Sequence, residues 1–300
     1  MSNDSCAPRE LTSAVNPHPR RAWGNAGEVG RGAVPALSPH VTGLHTRLLR
    51  LTRLLILLLR LYLDARFRVP RLPAAHRRRV TQRWARRMLH TLRIEVRARG
   101  HVPASGAPLL LVANHVSWLD SYALNTVSAA RFVAKSEVCG WPLIGPIAAG
   151  FGTFFLKRGC YRAAARMVGG LAEVLCAAQP VGVFPEGTTS EGNGLLRFYP
   201  AMFQAAVLSG ARVQPVAIRY RAADGVPTAA AAYVGDMSVL DSTRRLLREP
   251  RLTAELVFCA PLDPSGRTRR ELAALTRAAI AAALELEDDA VGPTTLRRAA

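Results

Sequence analysis

Six residues at 109–114, Leu-Leu-Leu-Val-Ala-Asn, constrain the fold more than any other stretch. An apolar run this short, closed by a polar side chain, reads as a strand buried on both faces. Similar runs recur at RFVAKSE (131–137), GTFFLKR (152–158), VGVFPEG (181–187) and VQPVAIRY (213–220). At 94–98, Ile94, Val96 and Ala98 alternate with charged residues, the pattern of a half-buried strand. Between these runs, 118–128 and 161–178 carry helical periodicity, the second with Ala163, Met167, Leu171 and Leu175 four apart. TAELVF (253–258) predicts a last strand and 269–287 a last amphipathic helix. Strands alternating with helices predict an α/β sandwich on a mostly parallel sheet, whose sites gather at the carboxyl ends of strands. His115, Arg158 and Glu186 each follow an apolar run by a few residues, so their convergence is expected.

Charge divides the chain into unlike parts. Residues 1–100 hold 20 basic and 5 acidic residues, a net +15 out of the total +19. A basic segment joined to a nearly balanced body favours a polyanionic partner, either nucleic acid or an anionic lipid surface. Residues 1–42 are rich in Pro, Gly, Ser and Asn, show no secretory apolar stretch, and predict a disordered segment. The five cysteines include no C-x-x-C pair, which argues against a disulfide framework or a zinc knuckle and for reduced thiols.

Residues 43–93 favour the lipid partner. In LLRLTRLLILLLRLYL (48–63), Arg50, Arg53 and Arg60 interrupt a run that would need ~20 largely uncharged residues to span a bilayer. With Arg47 they fall within a sector of ~140° on a helix, the leucines filling most of the rest. That is the pattern of an interfacial helix whose arginines snorkel to lipid phosphates. In AAHRRRVTQRWARRMLHTL (74–92), Val80, Trp84, Met88 and Leu92 mark one face, and Pro70 and Pro73 separate the two helices. Together they predict a two-helix membrane foot, monotopic or with a single span, followed by a body over 94–300. Trp84 is the one aromatic in 77–93, so a stacking platform for nucleic acid is lacking and none is expected as a partner.

Two polar motifs follow strand-like runs. In NHVSWLD (114–120), Ser117 and Asp120 have capping-box spacing, which predicts a helix starting near Trp118 and leaves His115 at the strand end. A chain reversal there brings the Asp120 carboxylate to one imidazole nitrogen and leaves the other as general base. No G-x-S-x-G elbow occurs, so the base is expected to act on a substrate hydroxyl. In FPEGTTS (184–190), Gly187 permits a sharp turn, Glu186 is expected to accept from an acceptor hydroxyl, and Thr188, Thr189 and Ser190 offer donors to an oxyanion or phosphate. The chain has 38 arginines and two lysines, Lys135 and Lys157, both within 131–158. A surviving Lys135 is consistent with a need for a compact ammonium.

These motifs, in this order and spacing over roughly 94–220, resemble the glycerolipid acyltransferase family, bacterial 1-acylglycerol-3-phosphate acyltransferases in particular. NHVSWLD resembles its N-H-x-x-x-x-D block. The stretch from Phe132 to Arg158, with Lys135-Ser136-Glu137, resembles the second, FPEGTTS the third, and VQPVAIRY with Pro215 the fourth. The resemblance implies that His115, oriented by Asp120, deprotonates the free hydroxyl of a lyso-lipid. That hydroxyl then attacks an acyl thioester of coenzyme A or acyl carrier protein, with no metal and no acyl-enzyme. Lys135, Arg158, Glu186, Gly187, Thr188 and Thr189 are implied to position the acceptor and its phosphate. It also implies work at the cytoplasmic face of the inner membrane. The lysophosphatidate enzymes usually carry Arg where this chain has Thr189, whereas E-G-T-T is similar to enzymes acylating lyso-ornithine lipid. Lysophosphatidate is the first expected acceptor and lyso-ornithine lipid the second. A non-catalytic basic membrane- or nucleic-acid-binding protein is the competing class, and a thioester hydrolase using the same base is a further alternative.

Overall fold

A computed structural model describes residues 42–104, 109–157 and 161–285. Residues 1–41, Arg158 and the chain beyond 285 therefore lie outside the described residues. In chain order the regular elements are α1 (Leu44–Leu63), α2 (Ala74–Thr91), β1 (Ile94–Gly100), β2 (Leu109–Ala113), α3 (Asp120–Val127), β3 (Arg131–Lys135), α4 (Ile144–Gly150), β4 (Phe154–Leu156), α5 (Tyr161–Cys176), β5 (Val181–Val183), α6 (Gln204–Ser209), β6 (Arg212–Arg221), α7 (Val239–Arg248), β7 (Leu252–Phe258) and α8 (Arg269–Ala283). The strands form one sheet of order β1-β7-β6-β2-β5-β3-β4. Every pairing is parallel except β6 with β7, so β1 and β7 run against the other five.

The expected α/β sandwich is present, and β2 shows why its run lacks polar positions. Leu111 and Ala113 enter one hydrophobic cluster and Leu110 and Val112 enter the other, on opposite faces of the sheet. Because a strand alternates its side chains, both faces must be covered to bury all of them. The first cluster draws on α1, α2, α3 and α7, the second on α5, α6 and α8. Helices α4, α6 and α7, unread in the sequence, are short and carry no long periodic signal.

The two N-terminal helices are woven into this architecture. The α2 face of Val80, Trp84 and Met88, with Leu92, packs in the first cluster with the sheet instead of facing a bilayer. Trp84 also donates from Nε1 to the Asp64 carboxylate at 2.9 Å. Arg50, read in the sequence as one of a lipid-facing row, is buried and donates to the Glu249 and Pro250 carbonyls at 2.7 and 3.2 Å. It thereby satisfies the carbonyls of the two residues that follow α7. One face of α1 buries Leu54 and Leu61, while Leu48, Leu55, Ile56, Leu59 and Leu63 stay exposed, Leu59 to 58%. Phe67, in the π-helical turn after α1, continues that apolar row. Among the described residues, no helix is long and apolar enough to cross a membrane.

Candidate active site

The site is built where β2 ends beside β5 and β6. Asn114 is fully buried and continues the β2–β6 ladder with its side chain. Its amide donates to the Ile218 carbonyl at 3.0 Å and its carbonyl accepts from Ile218 N–H at 2.7 Å. A side chain that mimics the backbone lets the main chain turn away without orphaning the neighbouring strand. The turn that follows is organised by Asp120. Its Oδ2 accepts from His115 Nδ1 at 2.8 Å and from the Val116 and Ser117 amides at 2.7 and 2.9 Å. Its Oδ1 accepts from the Tyr220 hydroxyl at 2.8 Å. The Asp120 side chain is wholly inaccessible, whereas 21% of the His115 side chain is exposed.

The capping-box expectation is met by half. Asp120 accepts from Ser117 N–H, but Asp120 N–H bonds the Ser117 carbonyl, and the helix starts at Asp120, not Trp118. The carboxylate serves the turn and the imidazole more than the helix end. An imidazole held at Nδ1 by a carboxylate has its tautomer fixed, with Nε2 as the available base.

The imidazole rests on an aromatic support absent from the sequence reading. His115 stacks on Phe184 at 4.0 Å between centroids, 9° from parallel, and Phe184 lies against Phe132 at 5.6 Å. Gly182 is required here. A Cβ on it would stand 2.2 Å from the Phe132 ring. Trp118, in the same turn, donates from Nε1 to the Ser242 hydroxyl of α7 at 3.1 Å.

Glu186 meets His115, in a role different from the expected one. Its Oε1 accepts from His115 N–H at 2.9 Å and its Oε2 from Leu196 N–H at 3.2 Å. The carboxylate is a buried strut between two loops, not an open acceptor for a substrate hydroxyl. Burial pushes its pKa up to about 7, against the two amide bonds that stabilise the anion, and the Asp120 charge adds to the rise.

Gly187 takes a left-handed φ of +70°, which turns the loop sharply. Thr188 is exposed beside it. Thr189 is committed elsewhere: its hydroxyl donates to the Tyr233 carbonyl. Tyr233 N–H in turn bonds Val116 O at 2.9 Å, and Ser190 N–H bonds His115 O at 2.8 Å. Lys135 ends β3 at the same edge of the sheet with an exposed side chain. The structure thus joins His115, Asp120, Glu186 and the 187–190 loop, places Lys135 on a nearby strand end, and does not describe Arg158. Among the described residues, no three His, Cys, Asp or Glu side chains gather closely enough to hold a metal ion.

Tyr220, Asn114 and Phe184 were unassigned by sequence reasoning. Tyr220 was within reach of it, because strand alternation puts it on the same face as Val216 and Ile218. Phe184 carried no signal beyond belonging to its motif.

The Acyltransferase family profile matches residues 93–219. The lyso-ornithine lipid O-acyltransferase of Pseudomonas aeruginosa is 40% identical over 235 residues, covering 77% of this chain and 88% of that protein. The chain belongs to the acyltransferase family. Another member, the 1-acyl-sn-glycerol-3-phosphate acyltransferase of Neisseria meningitidis serogroup B, is 34% identical over 227 residues, 76% of this chain and 88% of its own. The crystal structure of the 1-acyl-sn-glycerophosphate acyltransferase of Thermotoga maritima shares the acyltransferase fold. It superposes with a TM-score of 0.55 at 22% identity, over 79% of this chain and 96% of that one.

Proposed function

We propose that this acyltransferase moves a fatty acyl group from a thioester to the free hydroxyl of a lyso-lipid. The observation that carries the reading is the 2.8 Å contact of His115 Nδ1 with a fully buried Asp120 carboxylate. His115 Nε2 takes the hydroxyl proton as the oxygen attacks the thioester carbonyl. The new C–O bond forms, the C–S bond breaks, and the imidazolium returns its proton to the departing thiolate. Asp120 stabilises the imidazolium and keeps the ring in its working tautomer. The thioester of coenzyme A or acyl carrier protein is the co-substrate, and the transfer is direct, with no metal. Lys135, Arg158 and the exposed 187–188 turn orient the acceptor head group.

The first acceptor is 1-acylglycerol-3-phosphate, giving phosphatidate. One observation favours lyso-ornithine lipid as a second reading: Thr189 holds the Tyr233 carbonyl at a position where a phosphate-binding cation is expected for the first. Both acceptors reside in a bilayer. The exposed apolar row of α1 supports peripheral docking at the cytoplasmic face of the inner membrane, with the long hydrophobic side chains immersed in the interface. The deciding experiment offers the purified full chain lysophosphatidate or lyso-ornithine lipid, each with acyl-CoA and acyl carrier protein. Acylated product from one acceptor identifies it. Free fatty acid with either acceptor, and no acylated lipid, would replace transfer by hydrolysis.

A further inference from the structure

A second polar cluster lies far from His115. It sits at the amino ends of β3 and β5, whereas His115 follows the carboxyl end of the parallel strand β2. A shallow cleft there is lined by Arg77, Arg78 and Thr81 of α2, by Arg131, and by Phe151 and Gln179. Three guanidinium groups line it, and no carboxylate does among the described residues.

Arg131 and Arg77 are each held in place by a backbone carbonyl. Arg131 donates from Nε to the Gly152 carbonyl at 2.9 Å, and its guanidinium lies over the Phe154 ring at 4.6 Å. Arg77 donates from Nη2 to the Leu72 carbonyl at 3.2 Å, while its Nε is buried with no hydrogen-bond partner. Burial depresses the Arg131 pKa, and the Arg77 charge depresses it further. Like charges that share a half-buried cleft repel one another, and an anion bound between their guanidinium groups offsets that cost. A planar guanidinium pair suits the oxygens of a phosphate group bidentately. The cleft also stands at the start of α2, one short connection after exposed Phe67 and the apolar row of α1.

The geometry points to an anion site, formed by Arg77, Arg78 and Arg131, that binds the phosphate group of a lipid head group or free phosphate. Binding here is independent of the acyltransfer chemistry and of which acceptor is used. Filled by a lipid phosphate, it anchors the α2 end of the molecule to an anionic surface, beside the exposed apolar row of α1.

The test uses the full chain, with Arg77→Gln set against Arg83→Gln, an exposed position on the same helix with the same loss of charge. Inorganic phosphate, matched to chloride in ionic strength, should raise the wild-type unfolding midpoint by roughly 2–4 °C. That increment should survive Arg83→Gln and vanish in Arg77→Gln, whatever each substitution does to the starting midpoint. Binding to phosphatidylglycerol vesicles over phosphatidylcholine vesicles should fall at least about tenfold in Arg77→Gln and no more than about fivefold in Arg83→Gln. Loss of both increments identifies a lipid phosphate. Loss of the phosphate increment with the vesicle affinity of the control identifies free phosphate. A wild type indifferent to phosphate and to vesicle charge overturns the site, as does an Arg77→Gln variant that matches Arg83→Gln in both assays. Acyl transfer in detergent reports separately on the proposed reaction.

Discussion

Around His115, every carboxylate oxygen of Asp120 and Glu186 accepts from a donor of the protein, and the imidazole lies flat on an aromatic ring. On the outer side of α1, by contrast, Leu55, Ile56 and Leu59 are exposed and belong to neither hydrophobic cluster. The contrast teaches what each region is built for. A proton-transfer geometry needs side chains that cannot rotate, and buried polar groups are held only when their bonds are complete. A surface that docks on lipid needs apolar area left uncovered until the partner arrives.

The contrast can be broken at its strongest point first. Replacing His115 by Ala should lower turnover by ~10²–10⁴-fold, the usual contribution of a general base, with the unfolding midpoint little changed. Near-normal turnover would remove the proposed chemistry.

Glu186 tests the cost of a buried strut. Its folded pKa near 7 stands above the ordinary 4.5, so the folded state holds a proton that the unfolded chain releases. The stability it contributes is full below about pH 4.5 and is lost as pH rises from there to about 7. The amplitude is about 3 kcal/mol at 1.36 kcal/mol per unit. Denaturant titrations of wild type and Glu186→Gln across that window should show the slope in the first and a flatter profile in the second.

Tyr220→Phe sharpens the picture of complete bonding. It leaves Asp120 Oδ1 buried with its one donor gone, at a cost of ~1–3 kcal/mol. Stability should fall by that amount and kcat by roughly tenfold, with KM nearly unchanged, since the Tyr220 hydroxyl acts through the orienting carboxylate. On α1 the expected effect is smallest. Leu55→Ser should weaken vesicle binding about fivefold through lost apolar contact and leave activity in detergent intact. A stability loss there would instead mean that the outer face is packed.

Much of this was legible before any coordinates. Apolar runs, and alternation at 94–98, marked the seven strands among the described residues, and NHVSWLD and FPEGTTS marked the two loops that meet at the site. Local pattern suffices there, because a doubly covered strand must be apolar throughout and its polar end must turn at the sheet edge. The pairing of His115 with Asp120, five residues apart, was within reach for the same reason.

What the sequence by itself determined is the strands, the sheet class and the imidazole–carboxylate pair, all set by short-range patterning. Only the tertiary structure decided which polar groups are already occupied. Glu186 is taken by the His115 and Leu196 amides, Thr189 by Tyr233, Arg50 by the end of α7, and the apolar face of α2 by the core. An apolar stripe or a charged side chain has the same spacing whether it meets lipid, substrate or protein. Its partner is chosen by contacts between residues far apart in the chain, and periodicity carries no record of those.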